Sequence, residues 1–195
     1  MCAGINPVAG AAGIYYKKQA HIVDENEKTT EGLEFSGGAV FKGDRLAGYM
    51  DETDARAYNY IVGQMKGTII TVASVLEENA RVSVEIENAK SEIIPRIKNG
   101  EISFTINIEQ KGNIADAESA YGEISLLEHL NVLSEIQKEC SDLIKNQIES
   151  TINKMQNDFD SDIFGFGNTF SKEYPKEWDE INDKWGEIFP AAECK

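Results

Sequence analysis

The residues best placed to do chemistry are the carboxylates of Asp158-Phe159-Asp160-Ser161-Asp162, which alternate as they do at the start of a calcium loop. Such a loop needs a glycine for its sharp turn and a bidentate acid to close the coordination shell. Those positions hold Ile163 and Thr169. The run therefore reads better as a helix end with a capping aspartate. Close behind it, Gly165-Phe166-Gly167 lacks the Lys-Ser/Thr of a phosphate loop and does not follow a strand. Phe164 and Phe166 are expected to fold back into the core.

Other reactive side chains are thinly spread. His21 and His129 are too few for a zinc site without many carboxylates. Cys2, Cys140 and Cys194 form no CxxC pair. Cys140 has the spacing of a small buried hydrophobe, and a disulfide between Cys2 and Cys194 is left open. With 34 acidic residues some carboxylates must approach one another, but nothing singles out a glycosidase-type pair. There is no Gly-x-Ser-x-Gly elbow, no HExxH and no cysteine–histidine signature. The expectation is a protein that is not an enzyme, with no catalytic, cofactor-binding or metal residues.

Charge narrows the partners. Against 34 acids stand 19 lysines and arginines, a net charge of −15 over 195 residues. Nucleic-acid binding needs clustered cations to displace counterions, and no cluster is present. The same balance disfavours adsorption to an anionic bilayer. No apolar run approaches the ~18 residues that would cross a membrane, so direct insertion by this segment is not expected. The N-terminus lacks the basic and apolar regions of a signal peptide.

The elements that must position these residues follow from periodicity. Leu130, Leu133, Ile136, Cys140, Ile144, Ile148, Ile152, Met155 and Phe159 recur in steps of three and four. That spacing keeps one stripe on one side of a helix. No proline or glycine interrupts Ser125 to Asp160, which predicts one long helix. After the glycine turn, Asn168 or Ser171 is the expected cap of the next helical piece. Pro175 suits the first turn of a last helix whose shared face carries Trp178, Ile181, Trp185 and Ile188.

Upstream the chain reads as strands. Residues 1–31 look like a linker or the remnant of a preceding domain, adding at most an edge strand near Ile14-Tyr15-Tyr16. Leu33–Phe41 and Leu46–Met50 form a hairpin about Lys42-Gly43-Asp44-Arg45, with a bulge at Gly37-Gly38. A helix follows from Glu52 to Met65, capped at Asp51 or Thr53, with Ala55, Tyr58, Ile61, Val62 and Met65 inward. Thr68–Leu76, Arg81–Glu87, Ser91–Lys98 and Glu101–Glu109 are then four strands. Pro95 marks an edge or bulge, and Asn99-Gly100 makes a type I′ turn. Lys111–Gly122 is a loop or a strand extension. The resulting class is α+β: an antiparallel sheet packed against one long C-terminal helix, with shorter helices.

Four blocks resemble the C-terminal domain of the spore germination receptor C subunit, the Ger(x)C family. They are Gly38-Ala39-Val40-Phe41-Lys42-Gly43-Asp44-Arg45-Leu46 with Gly48; Gly67-Thr68-Ile69-Ile70-Thr71-Val72 leading to Val82-Ser83-Val84-Glu85; Ser161 to Gly167; and Tyr174-Pro175-Lys176-Glu177-Trp178 with Trp185, Glu187, Ile188, Phe189 and Pro190. The likeness covers about residues 32–195, taken as one domain. It implies a non-enzymatic lipoprotein subunit on the outer face of the spore inner membrane, with membrane-embedded A and B subunits as partners. It also implies a lipid anchor on the N-terminal part of the full-length protein, for which Cys2, without a lipobox, is no candidate. Phe164, Phe166, Trp178 and Trp185 become a partner interface or a structural motif. An alternative within the same likeness is a module that binds a small nutrient germinant between sheet and helix. The family pattern continues past the Phe189-Pro190 block with another strand, which leaves the completion of one sheet edge open.

Overall fold

A computed structural model describes the backbone of residues 11–23, 29–74, 80–117 and 130–195, with side chains for 37–74, 80–115 and 131–195. Two sheets appear where one was expected. The first joins β1 (Ala11–Val23), β2 (Thr29–Lys42) and β3 (Arg45–Met50) in that order, all antiparallel. The edge strand is much longer than Ile14-Tyr15-Tyr16. The bulge falls where glycine permits it, because β2 carries one extra residue between the pairs Ile14–Gly38 and Tyr16–Phe35. There Gly37 has φ +71°, and a Cβ would lie 2.1 Å from the Met50 carbonyl oxygen.

α1 (Glu52–Ile61) starts at a capping box: the Asp51 carboxylate accepts the Asp54 amide at 2.8 Å, and the Asp54 carboxylate accepts the Asp51 amide at 3.2 Å. It ends four residues sooner than expected, and its buried face is Asp54, Ala57, Tyr60 and Ile61 rather than Ala55 and Tyr58. The cause is Asp54, an acid that turns inward because Thr151 and Lys154 of the next helix meet it.

The second sheet runs β4 (Lys66–Ala73), β5 (Arg81–Lys98), β6 (Glu101–Ala117) and β7 (Glu193–Cys194). β5 is one strand of 18 residues, not two. A register shift between Ile86 and Asn88 breaks its alternation and made it read as a pair of segments. Pro95 is tolerated because β4 pairs only with Arg81–Asn88, leaving that stretch of β5 bonded on one side. Asn99 (φ 54°) and Gly100 (φ 84°) form the two-residue turn. β6 continues through Lys111–Ala117 as the strand extension.

α2 (Leu130–Asn157) crosses the second sheet. Its stripe is as spaced: Ile136, Cys140, Ile144, Ile148, Ile152 and Met155 are buried, and Leu133 and Phe159 are half-buried. The helix extension expected from Ser125 lies outside the described residues, as do the strand end at Leu76, His21 and His129 as side chains, and Cys2. Within the described residues no helix is long and apolar enough to cross a membrane.

Candidate functional site

The three carboxylates of the would-be calcium loop go to three different places. Asp158 is exposed, and Asp160 pairs with Lys42 of β2. Asp162 is only 5% exposed. Its Oδ1 accepts the amides of Gly165 (2.9 Å) and Phe166 (3.0 Å), and its Oδ2 accepts the amide of Gly167 (2.8 Å) and the Trp185 indole Nε1–H (3.1 Å). Four donors converge on one anion at the start of α3 (Phe166–Glu173). The free amides of a helix N-terminus are what such an anion satisfies. Burial, the larger influence, holds the Asp162 carboxyl above the ordinary carboxylate range, while the four N–H groups pull it back.

This arrangement replaces the expected cap. Gly165 is the N-cap residue in a left-handed conformation (φ 79°), whereas Asn168 lies inside α3 and Ser171 in its last turn. Asparagine and serine lose to an aspartate upstream because the reversed chain folds three amides back over its side chain. Gly167 is required for closeness: a Cβ there would lie 2.7 Å from Trp185 Nε1 and 3.0 Å from Trp178 Cη2.

The four aromatics named from the sequence come together around this carboxylate. Phe166 is fully buried and stacks on Phe104 of β6 at 4.8 Å; Phe164 tilts against Phe166 at 5.4 Å. Trp185 is 1% exposed and meets Phe104 edge-on at 6.2 Å, with Trp178 at 5.3 Å on its other side. Trp178 itself is half-buried. One continuous last helix was expected. Instead α4 (Pro175–Ile181) and α5 (Trp185–Ile188) are separated by a 3₁₀ turn at Asn182–Lys184. The Asn182 side chain donates to the Trp178 and Asp179 carbonyls at 3.2 Å, competing with the helical ladder.

The capping aspartate expected within Asp158–Asp162 is Asp162, three to five residues before the amides it accepts; its burial and its fourth donor, Trp185, were not read from the sequence. Gln156 escaped the sequence reading altogether: its side-chain amide donates to the carbonyls of Phe189 (2.8 Å) and Ala192 (2.9 Å), pinning the C-terminal segment to α2. Beyond it, Lys195 donates to the Phe104 carbonyl at 2.9 Å and accepts from the Ile106 amide at 2.8 Å, so β7 lies parallel to β6. Cys194 is free, its thiol pushed up to about 12 by burial and then by the negative charges of Asp162 and Glu193.

With this geometry in place, comparison is decisive. Residues 36–195 match the model of a family described as spore germination B3/GerAC-like, C-terminal. The chain belongs to this family. Among GerAC-like relatives, spore germination protein YndF of Bacillus subtilis (strain 168) is 23% identical over 163 residues, covering 83% of this chain and 39% of that protein. Spore germination protein KC of the same organism is 24% identical over 165 residues, with 83% and 39% covered. Spore germination protein B3, also of that organism, is 19% identical over 189 residues, with 95% and 49% covered. The chain thus spans about two-fifths to half the length of these curated relatives. The crystal structure of the GerBC protein shares the fold, with a TM-score of 0.73 at 17% identity, covering 96% of this chain and 54% of that one. The chain is therefore a germinant-receptor C-subunit-like domain of the α+β class.

Proposed function

We propose that this domain is a non-enzymatic assembly or signal-relay module of a nutrient germinant receptor. In this reading it contacts membrane-embedded A and B subunits on the outer face of the spore inner membrane. The full-length protein is held there by a lipid on its N-terminal part. The supporting observation is the Asp162 cluster, which ties α2, α3, α5 and β6 into one packed unit. A push on one face of such a unit is carried to the others rather than absorbed. Phe164, Phe166 and Trp185 then serve as internal structure, and half-buried Trp178 is the aromatic of the four left to meet a partner.

The test is affinity capture from detergent-solubilised spore membranes, using the full-length subunit with and without residues 32–195. Recovery of the A or B subunit only when the segment is present supports the proposal. Equal recovery contradicts it. The second reading, a small germinant bound between sheet and helix, draws support from a cleft of ≈620 Å³ between β5–β6 and α2. Saturable NMR shifts confined to that cleft during nutrient titration would favour it, and their absence would sink it.

A further inference from the structure

We propose that β4 is a dimerisation edge, which pairs antiparallel with β4 of a second copy of this chain about a two-fold axis at Thr71. The inference goes beyond the receptor reading and does not depend on it.

The phase of β4 follows from its last bond to the neighbouring strand. The Ser74 amide donates to the Ala80 carbonyl at 2.8 Å, in register with the Ala73–Arg81 pair. In an antiparallel ladder, bonded and non-bonded pairs alternate. Thr68, Ile70 and Val72 therefore bond to β5, whereas Ile69, Thr71 and Ala73 turn their amides and carbonyls to the other side. Among the described residues, no strand pairs there. From Gly67 to Ala73 this edge carries neither charge nor proline, and Ile69 is 59% exposed. An edge without those guards is a template for another strand.

The occupant that fits this edge is β4 itself. A two-fold axis at Thr71 sets Thr71 against the partner's Thr71 and Ile69 against the partner's Ala73, so that large meets small on the outer face. On the helix side Ile70, which is buried, meets the partner's Val72, and the apolar layer runs on across the axis. Lys66 lies on that same side of the strand and is exposed. Antiparallel pairing carries the partner's Lys66 past Ser74, toward a cleft of ≈600 Å³ between β4 and α2. Thr71, Val72, Arg81, Glu139, Asp142 and Leu143 line that cleft. Lys138 engages Asp142 at 3.0 Å, which leaves Glu139 to receive the incoming ammonium. Repulsion between two chains of charge −15 confines the association to high concentration.

The test is sedimentation of the full chain at micromolar and near-millimolar concentration, with amide exchange followed at both. Expected are a shift from monomer to dimer mass and at least tenfold slower exchange of the Ile69, Thr71 and Ala73 amides in the dimer. Thr71→Pro removes an N–H that faces away from β5, and should weaken association tenfold or more; Ile69→Lys does the same should the first variant fail to fold. Lys66→Glu should weaken it about tenfold, because the axis repeats the contact with Glu139 twice, and adding Glu139→Lys should restore it. A monomer at both concentrations, a dimer with unprotected β4 amides, undiminished association of the edge variants, or no rescue by the double charge reversal overturns the proposal.

Discussion

At the scale of single residues, Asp162 is the most demanding position, because everything facing its carboxylate is a donor. Asp162→Asn keeps the volume but sets an amide against the Gly167 and Trp185 N–H groups. It should cost about 2 kcal/mol or more, since an unsatisfied buried donor costs ~1–3 kcal/mol. Urea unfolding checks this, and an unchanged midpoint would contradict the role assigned here. Trp185→Ala should lose ~3–5 kcal/mol, as a large buried aromatic does. Tyr60 gives a pH prediction. Burial pushes its hydroxyl up to about 12 from 10.0, and it lies 3.3 Å from Gln110 Oε1. The folded state thus keeps a proton that the unfolded state releases, so this contribution is intact below pH 10 and lost as pH rises toward 12. The alkaline fall in urea midpoint should be shallower in Tyr60→Phe than in the parent. Little of this was legible beforehand: an aspartate among 34 acids carries no mark of burial, and only the folded loop supplies the four donors.

At the scale of elements, periodicity spoke clearly where one face meets one partner. The α2 stripe, the β6 alternation and the Asn99-Gly100 turn were all readable for that reason. It failed where a polar group turns inward or a bulge shifts the phase, as at Asp54 in α1 and at Glu87 in β5. The four aromatics were legible as a group, and Phe164 and Phe166 as core residues; that Trp185 is covered while Trp178 is only half-buried was not, because helical spacing does not say which face is covered. Gln156 supports an element-scale prediction. Gln156→Ala removes both bonds to the C-terminal segment, so the Lys195 and Ile106 amides should exchange faster by tenfold or more while those of β5 stay unchanged. Equal rates would show that β7 holds without it.

At the scale of the whole molecule, α2 is the common beam. Its C-terminal end carries the first sheet: Phe159 lies against Gly48, where a Cβ would come within 2.3 Å of the ring, and the Ser161 hydroxyl donates to the Phe41 carbonyl at 2.8 Å. Asp54 joins α1 to the same beam through Thr151 (3.1 Å) and Lys154. Removing the cation would leave the buried Asp54 carboxylate short of a partner, so Lys154→Met is expected to lower the unfolding free energy, read from urea titration, by ~1–3 kcal/mol. The two-sheet architecture was not legible, since nothing in a strand's own sequence states which neighbour it will join. The central claim is that the glycine turn and the tryptophan helices close on Asp162 as a single internal latch. Hydrogen exchange at the Trp185 indole and the Gly167 amide tests it most directly. Both protons should exchange only with global unfolding, at one shared rate. Exchange within minutes under native conditions would mean that the latch is open, and that the tryptophans are free to serve as surface anchors instead.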